Sequence, residues 1–205
     1  NLKVALPVML TQLGASLVGL FDSMMVGHYA TVDLAAVSFS NALFFMAMVF
    51  AMGALMAITP LVGIQIGEMN IMPEKKADIR QKIAVLFQNG MLFTMLQSAL
   101  MLILLGGCIP FLSYFGQEPE VIEVARPYYI LIVVSLVPFL VFTFFKQFLE
   151  GLGNTLVAMI ITLAMNGLNI FLNWVLIFGH FGLPAMGATG AGIATLISRI
   201  GMPIC

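Results

Sequence analysis

With 205 residues, 61% of them apolar and only 8% charged, this chain holds more apolar surface than a soluble fold of its size can bury. A soluble domain carries about 25% charged residues, so a water-facing exterior is excluded and the surrounding solvent is lipid. The net charge of −1 sits mostly in short loops and supplies no basic patch for nucleic acid.

A membrane-spanning helix needs about 20 apolar residues. In chain order the sequence predicts such helices over residues 5–26, 36–66, 83–109, 127–149 and 155–179. A sixth begins near Gly187 and is still running at Cys205. A cleaved leader would account for one such run and not for six. The expectation is an all-α polytopic membrane protein, a six-helix transmembrane bundle over residues 1–205. Its sixth helix is read as cut off, which suggests a fragment of a longer chain. Cys108 and Cys205 lie far apart in apolar context and read as buried thiols.

Alternating helices put Lys3, Lys75, Lys76, Arg80, Lys82 and Lys146 on one side of the membrane. The other side receives Arg126, with Asp33, Glu118, Glu120 and Glu123 in its loops. The positive-inside rule makes the lysine-rich side cytoplasmic, so the N-terminus is expected inside and the protein in the cell (inner) membrane.

The first span, LPVMLTQLGASLVGLFDSMMVG, carries a single carboxylate, Asp22, near its outer end. A charge at the centre of a spanning helix costs about 2.5–3.5 kcal/mol on the lenient scale, so such residues face a bundle interior or a cavity. Gln12, Ser16, Gly19 and Ser23 recur at steps of four, three and four, drawing a polar stripe beside Asp22. Counting 1.5 Å per residue puts Asp22 about 7 Å below the outer surface. Asn169 and Asn173, four apart on one face of the fifth helix, lie about 9–15 Å below it. Thr195 on the sixth lies about 12 Å down. One acid and three neutral oxygen-bearing side chains then share a layer, chemistry suited to Na⁺ or to an Asp that takes H⁺. Ordinary interhelical hydrogen bonding by the asparagines is the plainer alternative, and a shallow Asp22 reaching headgroup water is another.

The motifs LFDSMMVGHYATVDLAAVS, ITPLVGIQIGE, QFLEGLGNT and NGLNIFLNWVLIFGHFGLPAMGATGAGIATLISR occur in this order. Together they resemble the multidrug and toxic compound extrusion (MATE) transporters, NorM-type branch, over essentially the whole chain. The resemblance implies the N-terminal lobe of a twelve-helix, two-lobe transporter, with its own C-terminal lobe as partner. It implies export of small cationic, often aromatic drugs against Na⁺ or H⁺, with no cofactor beyond that coupling ion. Asp22 matches the family's first-helix acid, Asn169 and Asn173 its fifth-helix polar pair, and Thr195 its sixth-helix hydroxyl. Related branches carry a second acid where Asn173 stands, so this site holds one formal negative charge. Gln12 and Gln65 fall at positions the family pattern also carries, as candidate cavity-lining residues.

Arg199, one turn past Thr195, has no acid partner legible in the sequence, and Glu150 reads as a solvated helix end. A lipid-linked sugar flippase would need several cations inside the lobe, where only Arg199 qualifies. An intramembrane enzyme would need a nucleophile–base pair or metal cluster, yet His28 and His180 sit at outer loop ends without an HExxH-type partner. A structural membrane protein that transports nothing is the remaining reading.

Overall fold

In hydrocarbon every backbone N–H and C=O must be satisfied within its own segment, so apolar runs of this length resolve as helices. The computed structural model describes residues 2–205, with side chains described from Leu6 onward except Pro73. Seven α-helices follow in order: α1 (Leu2–Tyr29), α2 (Thr31–Met56), α3 (Ile58–Ile71), α4 (Lys76–Cys108), α5 (Pro119–Gly151), α6 (Thr155–Phe178) and α7 (Gly187–Ile204). Five spans are long and apolar enough to cross a membrane, α2 and α3 together making one of them, and α7 is the sixth helix of the bundle. The all-helical, multi-pass architecture is the one the sequence predicts.

The second span breaks at Ala57, where the sequence reads as continuous. Pro60 explains the break: it has no N–H to offer the Met56 carbonyl, and its ring crowds that same carbonyl. Helix starts also differ from expectation. Glu120, Glu123 and Arg126 lie on the first turns of α5, and Asp33 on the first turn of α2, not in loops. Pro119 opens α5 with the φ a first helical turn requires, and acids there favour the positive end of the helix dipole. The Lys3 side chain, assigned to the cytoplasmic side by charge bias, lies outside the described side chains.

Helix α5 is the axis of the bundle. It packs against α2, α3, α4, α6 and α7 and contributes the fully buried Tyr129, Leu136, Leu140 and Phe144. An aromatic cluster joins it to α4, with the Phe87 ring 5.3 Å from Phe144 and 5.1 Å from Phe148. Polar ties across the apolar packing are few: Tyr129 donates to the Leu105 carbonyl at 3.2 Å, and Gln97 to the Ala51 carbonyl at 3.1 Å. On the lipid-facing side α1 and α2 expose Leu13, Leu17, Met46 and Phe50, as expected when the solvent is apolar.

Small residues set how closely α7 approaches. A Cβ on Gly190 would stand 2.8 Å from the backbone of Leu176, so only glycine lets α7 lie against the end of α6. Gly179 closes α6 in a left-handed conformation, φ 73°, that favours glycine. At one end of the bundle, the Asp33 carboxylate accepts the backbone N–H of Ala188 at 2.6 Å, joining the start of α2 to the start of α7. At the opposite end Lys82 pairs with Glu68 at 3.8 Å and Lys146 with Glu150 at 3.9 Å. Glu150 is therefore half-buried and ion-paired rather than freely solvated. The cysteines also depart from expectation: Cys108 is half-buried and Cys205 exposed.

Candidate functional site

Five helices enclose a cavity of about 490 Å³, within the range of small-molecule sites. Helix α1 faces it with Thr11, Ala15, Val18 and Asp22, at steps of four, three and four, together with Gln12 and Gly19. The stripe is thus real but rotated from the one predicted. Ser16 and Ser23 are exposed and bond back to the Gln12 and Gly19 carbonyls of their own helix, at 3.0 and 2.9 Å. A hydroxyl satisfied on its own helix needs no polar neighbour and can face lipid.

From α6, Asn169 and Asn173 point inward together because they are four residues apart, and both are buried. The Asn173 amide donates to the Asp22 carboxylate and, at 3.2 Å, to the Asn169 carbonyl oxygen. Three of the four predicted site residues therefore form one hydrogen-bonded chain bridging α1 and α6. The Asn173 carbonyl oxygen is buried beside this chain with no hydrogen-bond partner. An orphaned acceptor of that kind costs about 1–3 kcal/mol, a cost that a bound cation removes. Thr195 of α7 lines the same cavity, outside the hydrogen-bonded chain, and Gln12 lines it from α1. Gln65 is elsewhere, on α3 in a separate open groove with Asp78 and Lys82, and its side-chain oxygen is buried without a partner.

Several cavity residues were not read from the sequence as site residues. Tyr128 of α5 donates to the Asn41 side-chain oxygen of α2 at 3.1 Å. Asn166 lines the cavity one turn before Asn169, with its side-chain nitrogen buried and unpartnered. Arg199 reaches the cavity from α7, donates to the Ser135 hydroxyl at 2.8 Å, and lies 5.0 Å from the Phe44 ring centre and 4.9 Å from that of Phe139. Lys146 also lines the cavity, which therefore carries two cations where the sequence predicts Arg199 alone. The available signal was polarity inside an apolar span: Asn41, Tyr128, Asn166 and Arg199 all interrupt hydrocarbon.

Beyond Asp22 the C-terminal ends of α1 and α6 meet through aromatic contacts. The His180 ring stacks on Trp174 at 4.0 Å and 17°, with His180 Nδ1 2.9 Å from the Trp174 carbonyl oxygen. His28 meets Phe178 edge-on at 6.3 Å.

Comparison with known proteins adds an independent line. The MatE family profile matches residues 7–175. The chain is 35% identical over 196 residues to a probable multidrug resistance protein NorM of Oceanobacillus iheyensis, covering 95% of this chain and 42% of that one. It is 34% identical over 199 residues to the corresponding protein of Halalkalibacterium halodurans, covering 96% and 41%. Among solved structures it is similar to an outward-facing multidrug resistance MATE family transporter of the MOP superfamily, with TM-score 0.83 at 20% identity over 99% of this chain and 42% of that one. A MATE protein solved in complex with MaL6 gives TM-score 0.85 at 21% identity, over 99% and 42%. The chain thus spans about two fifths of the length of the relatives it matches.

Proposed function

The chain belongs to the MatE family of transporters, which are not enzymes, and from that premise we propose that it is the N-terminal lobe of a cation-coupled multidrug efflux antiporter. The observation that carries this reading is the buried, unpartnered carbonyl oxygen of Asn173 beside the Asp22 carboxylate. One negative charge with amide and hydroxyl oxygens from Asn169, Asn173 and Thr195 is a donor set for Na⁺, and Asp22 alone suffices to take H⁺. A cationic, aromatic drug occupies the adjoining cavity, where Asp22 supplies the counter-charge and Phe44, Phe139 and Tyr128 the apolar and aromatic surface.

Coupling follows from competition. Ion and drug both draw on Asp22, and the ion drives export only to the extent that it binds the outward- and inward-open packings with different affinity. The lysine-rich end, with Lys82 and Lys146, faces the cytoplasm of the cell (inner) membrane in this reading, and the N-terminus lies inside. A C-terminal lobe completes the cavity. The test is Asp22→Asn in the complete transporter. Ethidium efflux driven by an imposed Na⁺ or proton gradient should be lost while membrane expression is kept, and unchanged efflux refutes the assignment.

A further inference from the structure

A second concavity lies outside the Asp22 cavity, at the lysine-rich end of the bundle. Helices α3 and α4 flank an open groove of about 600 Å³, lined by Gln65, Asp78, Lys82 and Asn89 together with Leu61 and Val85. On α4 the residues Asp78, Lys82, Val85, Asn89, Leu92 and Leu96 follow at steps of four, three, four, three and four, which is one face of a helix. All six are exposed. The face runs from charge through an amide to hydrocarbon, the order of headgroup, glycerol ester and acyl chain in a phospholipid. An amide that faces lipid, as Asn89 does, goes unpaired unless a neighbour supplies a partner. A glycerol ester carbonyl is such a partner.

Opposite charges one turn apart suit a zwitterion. Lys82 meets Glu68 at 3.8 Å, with side chains 57% and 33% exposed, a loose pair that a phosphate can replace. On the other side of the balance stand acceptors: the Asp78 carboxylate, and the Gln65 side-chain oxygen, buried with no hydrogen-bond partner. Acceptors call for a ligand cation that carries N–H. We propose that this groove docks one phosphatidylethanolamine molecule, its phosphate on Lys82, its ammonium on Asp78 and Gln65, its ester at Asn89 and an acyl chain along Leu92 and Leu96. Phosphatidylcholine has the same two charges and no N–H for those acceptors, and phosphatidylglycerol has no cation for Asp78. General attraction of the basic segment holding Lys75, Lys76 and Arg80 would instead favour the anionic lipid. The proposal needs only the membrane placement of the chain and not the antiporter reading.

In the deciding experiment the purified complete transporter, delipidated in detergent, is offered equimolar phosphatidylethanolamine, phosphatidylcholine and phosphatidylglycerol with identical acyl chains. Retained lipid is counted by native mass spectrometry. Wild type should favour phosphatidylethanolamine over phosphatidylcholine by about tenfold. Asp78→Asn should erase that margin, and Lys82→Gln should weaken both lipids alike, since both carry the phosphate. Asp78 and Lys82 are exposed on α4, so neither substitution disturbs the core. A wild type that retains phosphatidylethanolamine and phosphatidylcholine equally, or that favours phosphatidylglycerol, overturns the proposal without any variant. A phosphatidylethanolamine preference that Asp78→Asn leaves standing overturns it as well.

Discussion

Asn173 is hydrogen-bonded at once to Asp22, 151 positions earlier on α1, and to Asn169 on its own helix. Among the described residues the amide is the side chain that links both partners, and its remaining oxygen is a buried acceptor left open. Replacing it with the near-isosteric Leu removes donor and acceptor together. Asn173→Leu should reduce ion-driven efflux about 10–100-fold while the protein still inserts, measured with Na⁺ and proton gradients imposed one at a time.

The rotated stripe on α1 makes a sharper distinction. Ser16→Ala and Ser23→Ala remove hydroxyls that bond only to their own helix, and each should leave melting temperature and efflux essentially unchanged, within about 0.5 kcal/mol. A large efflux defect in either would restore the serines to the ion site and contradict the observed orientation of α1.

Gly190 tests the packing of α7. Its added Cβ would meet Leu176 backbone at 2.8 Å, and backbone yields less readily than a side chain. Gly190→Val should destabilise by about 1–3 kcal/mol, read as a lowered melting temperature in detergent, with α6 and α7 the first segments to lose hydrogen-exchange protection.

Trp174 reports on the ion layer. It follows Asn173 directly and its indole stacks on His180 at 4.0 Å. At fixed pH, a Na⁺ titration should change its fluorescence in wild type and leave it flat in Asp22→Asn. The chain has one tryptophan, so the signal needs no assignment. A flat wild-type response at every Na⁺ concentration would leave H⁺ as the only candidate ion.

Much of this was readable in advance because lipid enforces simple rules. Apolar length predicts the spans, and the cost of a charge in hydrocarbon predicts that Asp22 turns inward. Spacing by four aligned Asn169 with Asn173, and depth counting brought them level with Asp22. What spacing does not supply is rotation to within one residue: the predicted and observed stripes on α1 differ by one position at every step, about 100° on a helical wheel, and the choice falls to which face packs against α6 and α2. Nor does it supply contacts made between helices, which is why the Tyr128–Asn41 bond and the seat of Arg199 between Phe44 and Phe139 emerge only from the fold. Gln65 shows the converse, a polar residue in a span that belongs to a different groove.

The tie between Asp33 and Ala188 reaches further than local capping. Because it fastens the starts of two helices at the same end of the bundle, any motion that separates those starts must first break it. Asn41 and Phe44 on one, with Thr195 and Arg199 on the other, are held at a set spacing across the cavity while that bond stands.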